Sequence, residues 1–458
     1  MWETMAWTNG LQGLITILIL FDHSSLAFHP WESDLDCLGR PTSLMWQSPL
    51  IQTLLSSRFL LYLYFTLSGY ILSVRHFSSI HLNHQSKSQS IQEILKTFIH
   101  RNLYLIIIVS ISTYLDFCCW LLGVFNSIDL GEMGTNWSRD VTFQYERIFY
   151  KKVSLETVQN FVYVWFDHGT LSNYKTPHWT LFSEFYGLIS ICIFTIITIS
   201  MKTWKRQFLG YMIVIVMYSK SLIGPASFLI GTLISDLHTY QIFSRTTTIE
   251  NNKLKGIYLN IASLYLTLLT CFLISFPHSQ SSSNPILQKI YVSIKHWFEE
   301  NPSDFQDFFN SLGSSMMILS ILISKDSRKF LSHSTLCFFG DLSLSLYFIH
   351  IPILIGIGTM VYKSGLQLSI PIQLLWLIVH PIWFSCAFWL SWMITLMTYE
   401  FLNFLDQFDL TSWWKSLLNF KNSWHVQVNE DQLIFNQFET IHVLVHNGYS
   451  EKQYSRVD

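Results

Sequence analysis

The chain has 458 residues, half of them hydrophobic, 16% aromatic and only 13% charged, a balance that excludes an ordinary soluble globular domain and reads as a polytopic membrane protein. A formal net charge of −2, with the basic residues scattered over short loops, excludes the basic field that nucleic-acid binding needs. Seven cysteines give no CxxC pair of metal-ligand spacing and fall mostly inside apolar runs, so neither a metal site nor a bound cofactor is expected.

About 20 apolar residues cross the hydrocarbon layer. By that measure the chain reads as an all-α, polytopic transmembrane helical bundle of about ten spans, near 11–28, 54–74, 103–124, 178–200, 207–219, 222–237, 257–276, 309–324, 337–360 and 373–397. The first run lacks a basic flank and a small-residue cleavage site, so it reads as a retained helix and not a signal peptide. The fifth and sixth spans are short and meet at Lys220 and Gly224-Pro225, so a single broken hairpin, and nine spans, is the other reading. Cys37 alone sits in a loop, with Cys118 or Cys119 as its candidate disulfide partner.

Orientation follows from the basic residues, because short cytoplasmic loops carry the excess of Lys and Arg. Arg75, Lys87, Lys96 and Arg101 follow span two; Lys202, Lys205 and Arg206 follow span four; Arg245, Lys253 and Lys255 follow span six; Lys325, Arg328 and Lys329 follow span eight. These loops share one side, which places both termini in the cytosol of a multi-pass protein of the plasma membrane or an endomembrane. The loop after span one is acidic instead, with Glu32, Asp34 and Asp36 against Arg40. Asn136-Trp137-Ser138 gives a glycosylation pattern on an outer loop, and Leu155–Trp165 in the same loop reads as an interfacial helix. The division expected is a transmembrane domain over 1–405 and a polar cytosolic tail over 406–458, where VQVNEDQLIFNQFETIHVLV alternates enough to suggest a short strand pair.

Ionisable residues inside membrane spans are expensive to place and mark functional sites. At 1.5 Å of rise per residue, His23 in span one, Glu184 in span four and His350 in span nine fall in one layer of the outer half, with Arg58 able to reach down to it. His23 can act as a general base, with Glu184 as the group that fixes its tautomer. Asp22 is the poorer partner, because neighbours on a helix do not face each other. Thr180 lies four residues before Glu184 and can support the carboxylate; Trp179 and His178 stand at the outer interface. A second layer near the cytosol holds Gln12, Ser68-Gly69-Tyr70, Arg101 and Tyr104. There Ser68 and Gly69 read first as a close-packing site, and Arg101 as a topology determinant or a phosphate contact.

Four stretches resemble the acyltransferase-3 family of integral-membrane O-acyltransferases, with the fungal branch the nearest in pattern. GLQGLITILILFDH (Gly10–His23) is similar to the first helix of that family, FTLSGYILS (Phe65–Ser73) to its FFxxSGyxLS signature, HWTLFSEF (His178–Phe185) to its WTxxxEF segment and FFGDLSLSLYFIHIPIL (Phe338–Leu354) to its LGxxSYxxYLxHxP segment. The resemblance implies acyl-CoA as co-substrate on the cytosolic side, a hydroxyl acceptor on a sugar, lipid or secondary metabolite, and the lipid bilayer as the medium. It carries the family's essential histidine to His23, its glutamate to Glu184 and its late-helix histidine to His350. Arg58, Trp179, Thr180, Ser68, Arg101 and His350 are then the expected substrate-binding residues, and His23 and Glu184 the catalytic ones. Gln12 and Tyr104 depart from the family, which has arginine at both positions, and Glu400 matches a terminal acid without the proline behind it. These departures leave a second reading, a catalytically inactive paralogue or a non-enzymatic membrane binding or transport protein.

Overall fold

A computed structural model describes residues 5–28, 56–82, 87–121, 180–240, 253–274 and 302–407. Cys37, the Asn136 pattern, Leu155–Trp165, His178, Trp179 and the strand-like tail lie outside the described residues. The chain divides into two compact units, Met1–Leu402 and Asn403–Asp458, and the first carries the helical bundle.

The described residues are almost all helical, with no strand among them. In chain order they form α1 (Ala6–Phe28), α2 (Ser57–Leu82), α3 (Lys87–Leu121), α4 (Thr180–Thr198), α5 (Thr203–Ser219), α6 (Ile223–Thr239), α7 (Lys253–Ile274) and α8 (Pro302–Ile323). The short helices α9 (Lys325–Leu331) and α10 (Ser334–Asp341) come next. Then come α11 (Ser343–Ile353), a π-helical turn at Leu354–Gly358, α12 (Thr359–Gln367) and the long α13 (Ile372–Gln407).

Among the described residues, five stretches are long and apolar enough to cross a membrane: Gln89–Leu115, Thr180–Thr198, Ile257–Ile274, Ser343–Gln367 and Leu374–Asn403. Phe305–Ile323 with Lys325–Leu331, bent by 99°, makes a sixth. The protein is therefore an integral membrane helical bundle. The expected count of about ten is not confirmed among the described residues. Helices α5 and α6 have 17 residues each, which at 1.5 Å per residue fall short of the ~30 Å hydrocarbon layer. In α2 the apolar run is diluted by Arg58, Ser68, Arg75 and His76.

Two buried clusters hold the bundle together. The larger joins α1, α2, α4, α6 and α8 through residues such as Trp7, Ile15, Phe65, Leu181, Phe228 and Ile318. The second joins the far half of α1 to α11 and α13 through Leu20, Phe28, Ile349, Leu354, Val379 and Trp383. Helix α1 belongs to both, and His23 follows the point where it leaves one for the other.

Helices α2 and α6 approach so closely that a Cβ at Gly69 would sit 2.0 Å from the carbonyl oxygen of Phe228, and one at Gly231 would sit 1.9 Å from that of Thr66. Small residues at such a crossing let backbones meet where lipid offers no hydrophobic drive for helix association. The packing reading of Ser68-Gly69 thus holds for Gly69. Hydroxyls add interhelical bonds: Thr66 with Ser314 at 2.8 Å, Ser227 with Ser311 at 2.6 Å, and Ser73 donating to Thr232 at 2.9 Å. At the end of α6, the Arg206 guanidinium forks onto Asp236, with Nε donating to Oδ2 at 2.9 Å, and Gln207 Nε2 donates to the same oxygen at 2.8 Å. Both charges are almost wholly buried, and Arg206 also lies over the Phe77 ring at 4.7 Å.

Candidate active site

The site begins with a proline. Pro352 has no backbone N–H, so the carbonyl of Phe348, four residues earlier in α11, loses its helical donor. The Ser112 hydroxyl of α3 supplies one instead, donating to Phe348 O at 2.8 Å. Beyond the proline the helix widens into the π turn at Leu354–Gly358, a form that appears mostly as single turns inside α-helices and frequently at functional sites. His350 sits just before this irregularity and is fully buried.

His350 Nδ1 lies 2.6 Å from the carbonyl oxygen of Tyr347, one turn back in its own helix. Its Nε2 lies 2.7 Å from Nδ1 of His23, and the two rings are nearly parallel, with centroids 5.0 Å apart. His23, on α1, is half-buried. Residues 327 positions apart therefore meet as one hydrogen-bonded pair, in keeping with their shared layer in the sequence.

Glu184 is placed differently from the expectation. Its carboxylate, buried in α4, faces Arg101 at 3.9 Å, and among the described residues no hydrogen bond joins it to His23 or to Thr180. Arg101 Nη2 donates to the Tyr64 hydroxyl at 3.2 Å. The reason is the length of α3. Hydropathy starts the third span at 103 and leaves Arg101 at the cytosolic face, but the helix begins at Lys87 and its span runs Gln89–Leu115, so Arg101 stands near the middle. Arg101, expected in a separate layer, belongs to the same patch as Glu184.

Tyr347 holds the histidine side of the site. Its carbonyl holds His350 and its ring packs against the His350 ring at 5.8 Å. Arg58 is not part of the arrangement. It is half exposed and turns to α8, 3.8 Å from Asp307 and 3.5 Å from the side-chain oxygen of Gln306. Asp22, next to His23, does separate work by accepting from the backbone N–H of Ser57 at 3.3 Å, at the first turn of α2. Among the described residues no group of three or more His, Cys, Asp or Glu side chains could hold a metal ion.

Three participants escape sequence reasoning: Tyr64, Tyr347 and Ser112. Tyr347 has a signal, since it precedes His350 by one helical turn. Pro352 announces an orphaned carbonyl at Phe348, though no sequence signal names Ser112 as its partner. Tyr64 is visible only once α2 and α3 are placed side by side.

Residues 5–396 match a family model described as an acyltransferase domain, which spans every described residue named in this site. No curated protein and no solved structure matches the chain.

Proposed function

The chain belongs to the acyltransferase-3 family, and from that premise we propose that it moves an acyl group, acetyl in the simplest case, from acyl-CoA to a hydroxyl of a sugar, lipid or secondary metabolite. The observation that carries this reading is the 2.7 Å hydrogen bond between His23 and His350, inside the matched domain and within the membrane bundle. A histidine held by a second buried group is the usual equipment for removing a proton from a hydroxyl in a transition state.

In the proposed step the His23 imidazole takes the acceptor's hydroxyl proton as the oxygen attacks the thioester carbonyl. The new C–O bond forms, the C–S bond breaks, and the proton passes from the imidazole to the departing thiolate to give free CoA. Half-burial of His23 suits a base that an acceptor must reach, while full burial of His350 suits a residue that holds rather than reacts. Glu184 contributes by balancing the charge of Arg101 in the bundle interior. The donor enters from the cytosolic face, where the sequence places the basic loops.

The test is transfer from radiolabelled acetyl-CoA and from a longer acyl-CoA in membranes carrying the wild-type chain, His23→Ala or Glu184→Ala. Labelled ester should form with wild type and vanish with His23→Ala. A folded, correctly inserted wild type that transfers nothing above empty membranes, with any acceptor extract, would leave the non-enzymatic reading in its place.

A further inference from the structure

We infer that His350 is the positioning residue for His23, fixing it as the tautomer protonated at Nδ1, so that Nε2 of His23 is the nitrogen that takes the acceptor's proton. The two hydrogen bonds of the pair together fit one neutral arrangement. A carbonyl oxygen only accepts, so the 2.6 Å contact with Tyr347 O requires that His350 Nδ1 carry its proton. A neutral imidazole has one N–H, so His350 Nε2 is an acceptor. The 2.7 Å contact then requires that His23 Nδ1 donate, which leaves the lone pair of His23 on Nε2.

The charged alternative, with His350 protonated on both nitrogens, is opposed by its surroundings. The side chain is fully buried, and among the described residues no carboxylate contacts it. Burying an unpaired charge in a bundle interior is costly. The anchoring is equally specific. Ser112 caps the carbonyl that Pro352 leaves open, so the turn bearing His350 is held from α3. The role given to Glu184 by sequence reasoning therefore passes to His350, which reaches the base directly.

The catalytic consequence rests on the acyl-transfer reading, whereas the tautomer rests on geometry alone, so two measurements separate them. The first is nitrogen NMR of histidine-labelled full-length protein in lipid bilayers, with the His23 signal identified by its loss in His23→Ala. Wild type and His350→Gln, whose side-chain oxygen still accepts, should show His23 protonated at Nδ1. His350→Leu should shift it toward protonation at Nε2. A wild-type His23 protonated at Nε2, or a tautomer unmoved in folded His350→Leu, overturns the inference. If His350→Leu does not fold, wild type and His350→Gln decide alone.

The second measurement is kinetic. His350→Leu should lower kcat by about 100-fold or more with little change in KM, within the range that a positioned base contributes, and His350→Gln should recover most of it. Equal losses of kcat in His350→Gln and His350→Leu, with the His23 tautomer intact in both, would assign His350 to direct contact with substrate instead. Absence of any wild-type transfer would strike the acyl-transfer reading and leave the NMR result standing.

Discussion

The Arg101 guanidinium and the Glu184 carboxylate lie 3.9 Å apart in the interior of the bundle, brought together from helices α3 and α4. Removing one member of a buried pair leaves an uncompensated charge, which costs on the order of 3 kcal/mol, while removing both leaves none. Glu184→Gln and Arg101→Met should each lower the thermal midpoint in detergent, and the double variant should recover part of the loss. Two single losses that simply add would show that the residues act independently. The same coupling bears on activity, because a Glu184→Ala defect would then arise through Arg101 and the Tyr64 hydroxyl rather than through the His23 ring.

Much of this site is legible in the sequence, and the parts that are not have identifiable causes. Apolar runs, together with the rarity of ionisable residues within them, pick out His23, Glu184 and His350 before any helix is placed. Depth along a helix is a one-dimensional quantity, so it says that three residues share a layer but not which of them touch. On depth alone His23 meets Glu184 as readily as His350. Arg101 is misplaced because the polar stretch IQEILKTFIHR reads as a loop when hydropathy is the only guide, yet it belongs to α3, which is helical from Lys87. Arg58 gains a reach toward the site from its level alone, while Asp307 and Gln306 on α8 are its actual partners.

The α2–α6 crossing makes a sharper stability prediction than any charge. A methyl group at Gly69 or Gly231 would fall about 2 Å from a backbone carbonyl oxygen of the opposite helix, and backbone cannot move aside as a flexible side chain can. Gly69→Ala and Gly231→Ala should each destabilise by about 1–3 kcal/mol or prevent insertion of a folded bundle. Size-exclusion profiles of the detergent-solubilised variants check this. Monodisperse, wild-type-like profiles for both would mean that the two backbones do not meet at these glycines.

Asp236 offers a second case of charge burial, far from the histidine pair along the chain. It accepts from Arg206 twice and from Gln207 once, in a place with no exposed surface. Asp236→Ala should lose about 3–5 kcal/mol, because Arg206 is left buried without its partner. Replacing both, with Arg206→Met and Asp236→Leu, should cost much less. Chemical denaturation followed by tryptophan fluorescence distinguishes the two outcomes, and a single variant as stable as the double would show that the pair does not determine folding.

Ser112 is the residue whose loss should affect the site without touching it. Its hydroxyl is the donor for the Phe348 carbonyl that Pro352 leaves without a helical partner, two residues before His350. In lipid no water replaces a missing donor, so Ser112→Ala should cost about 1–3 kcal/mol, the penalty for an unsatisfied buried acceptor. Ser112→Thr keeps the hydroxyl and should cost less. Ser110 is the matched control: it lies on the same helix, is exposed, and donates to Ile106 O within its own helix at 2.7 Å, so Ser110→Ala should be close to neutral. Because the freed carbonyl lies in the turn that carries His350, Ser112→Ala should also lower kcat for transfer more than KM, by a smaller factor than His350→Leu. Parallel melting curves and initial rates for the three serine variants check both parts. Equal behaviour of Ser112→Ala and Ser110→Ala would mean that the Phe348 carbonyl finds another donor and that the anchoring of His350 does not pass through α3.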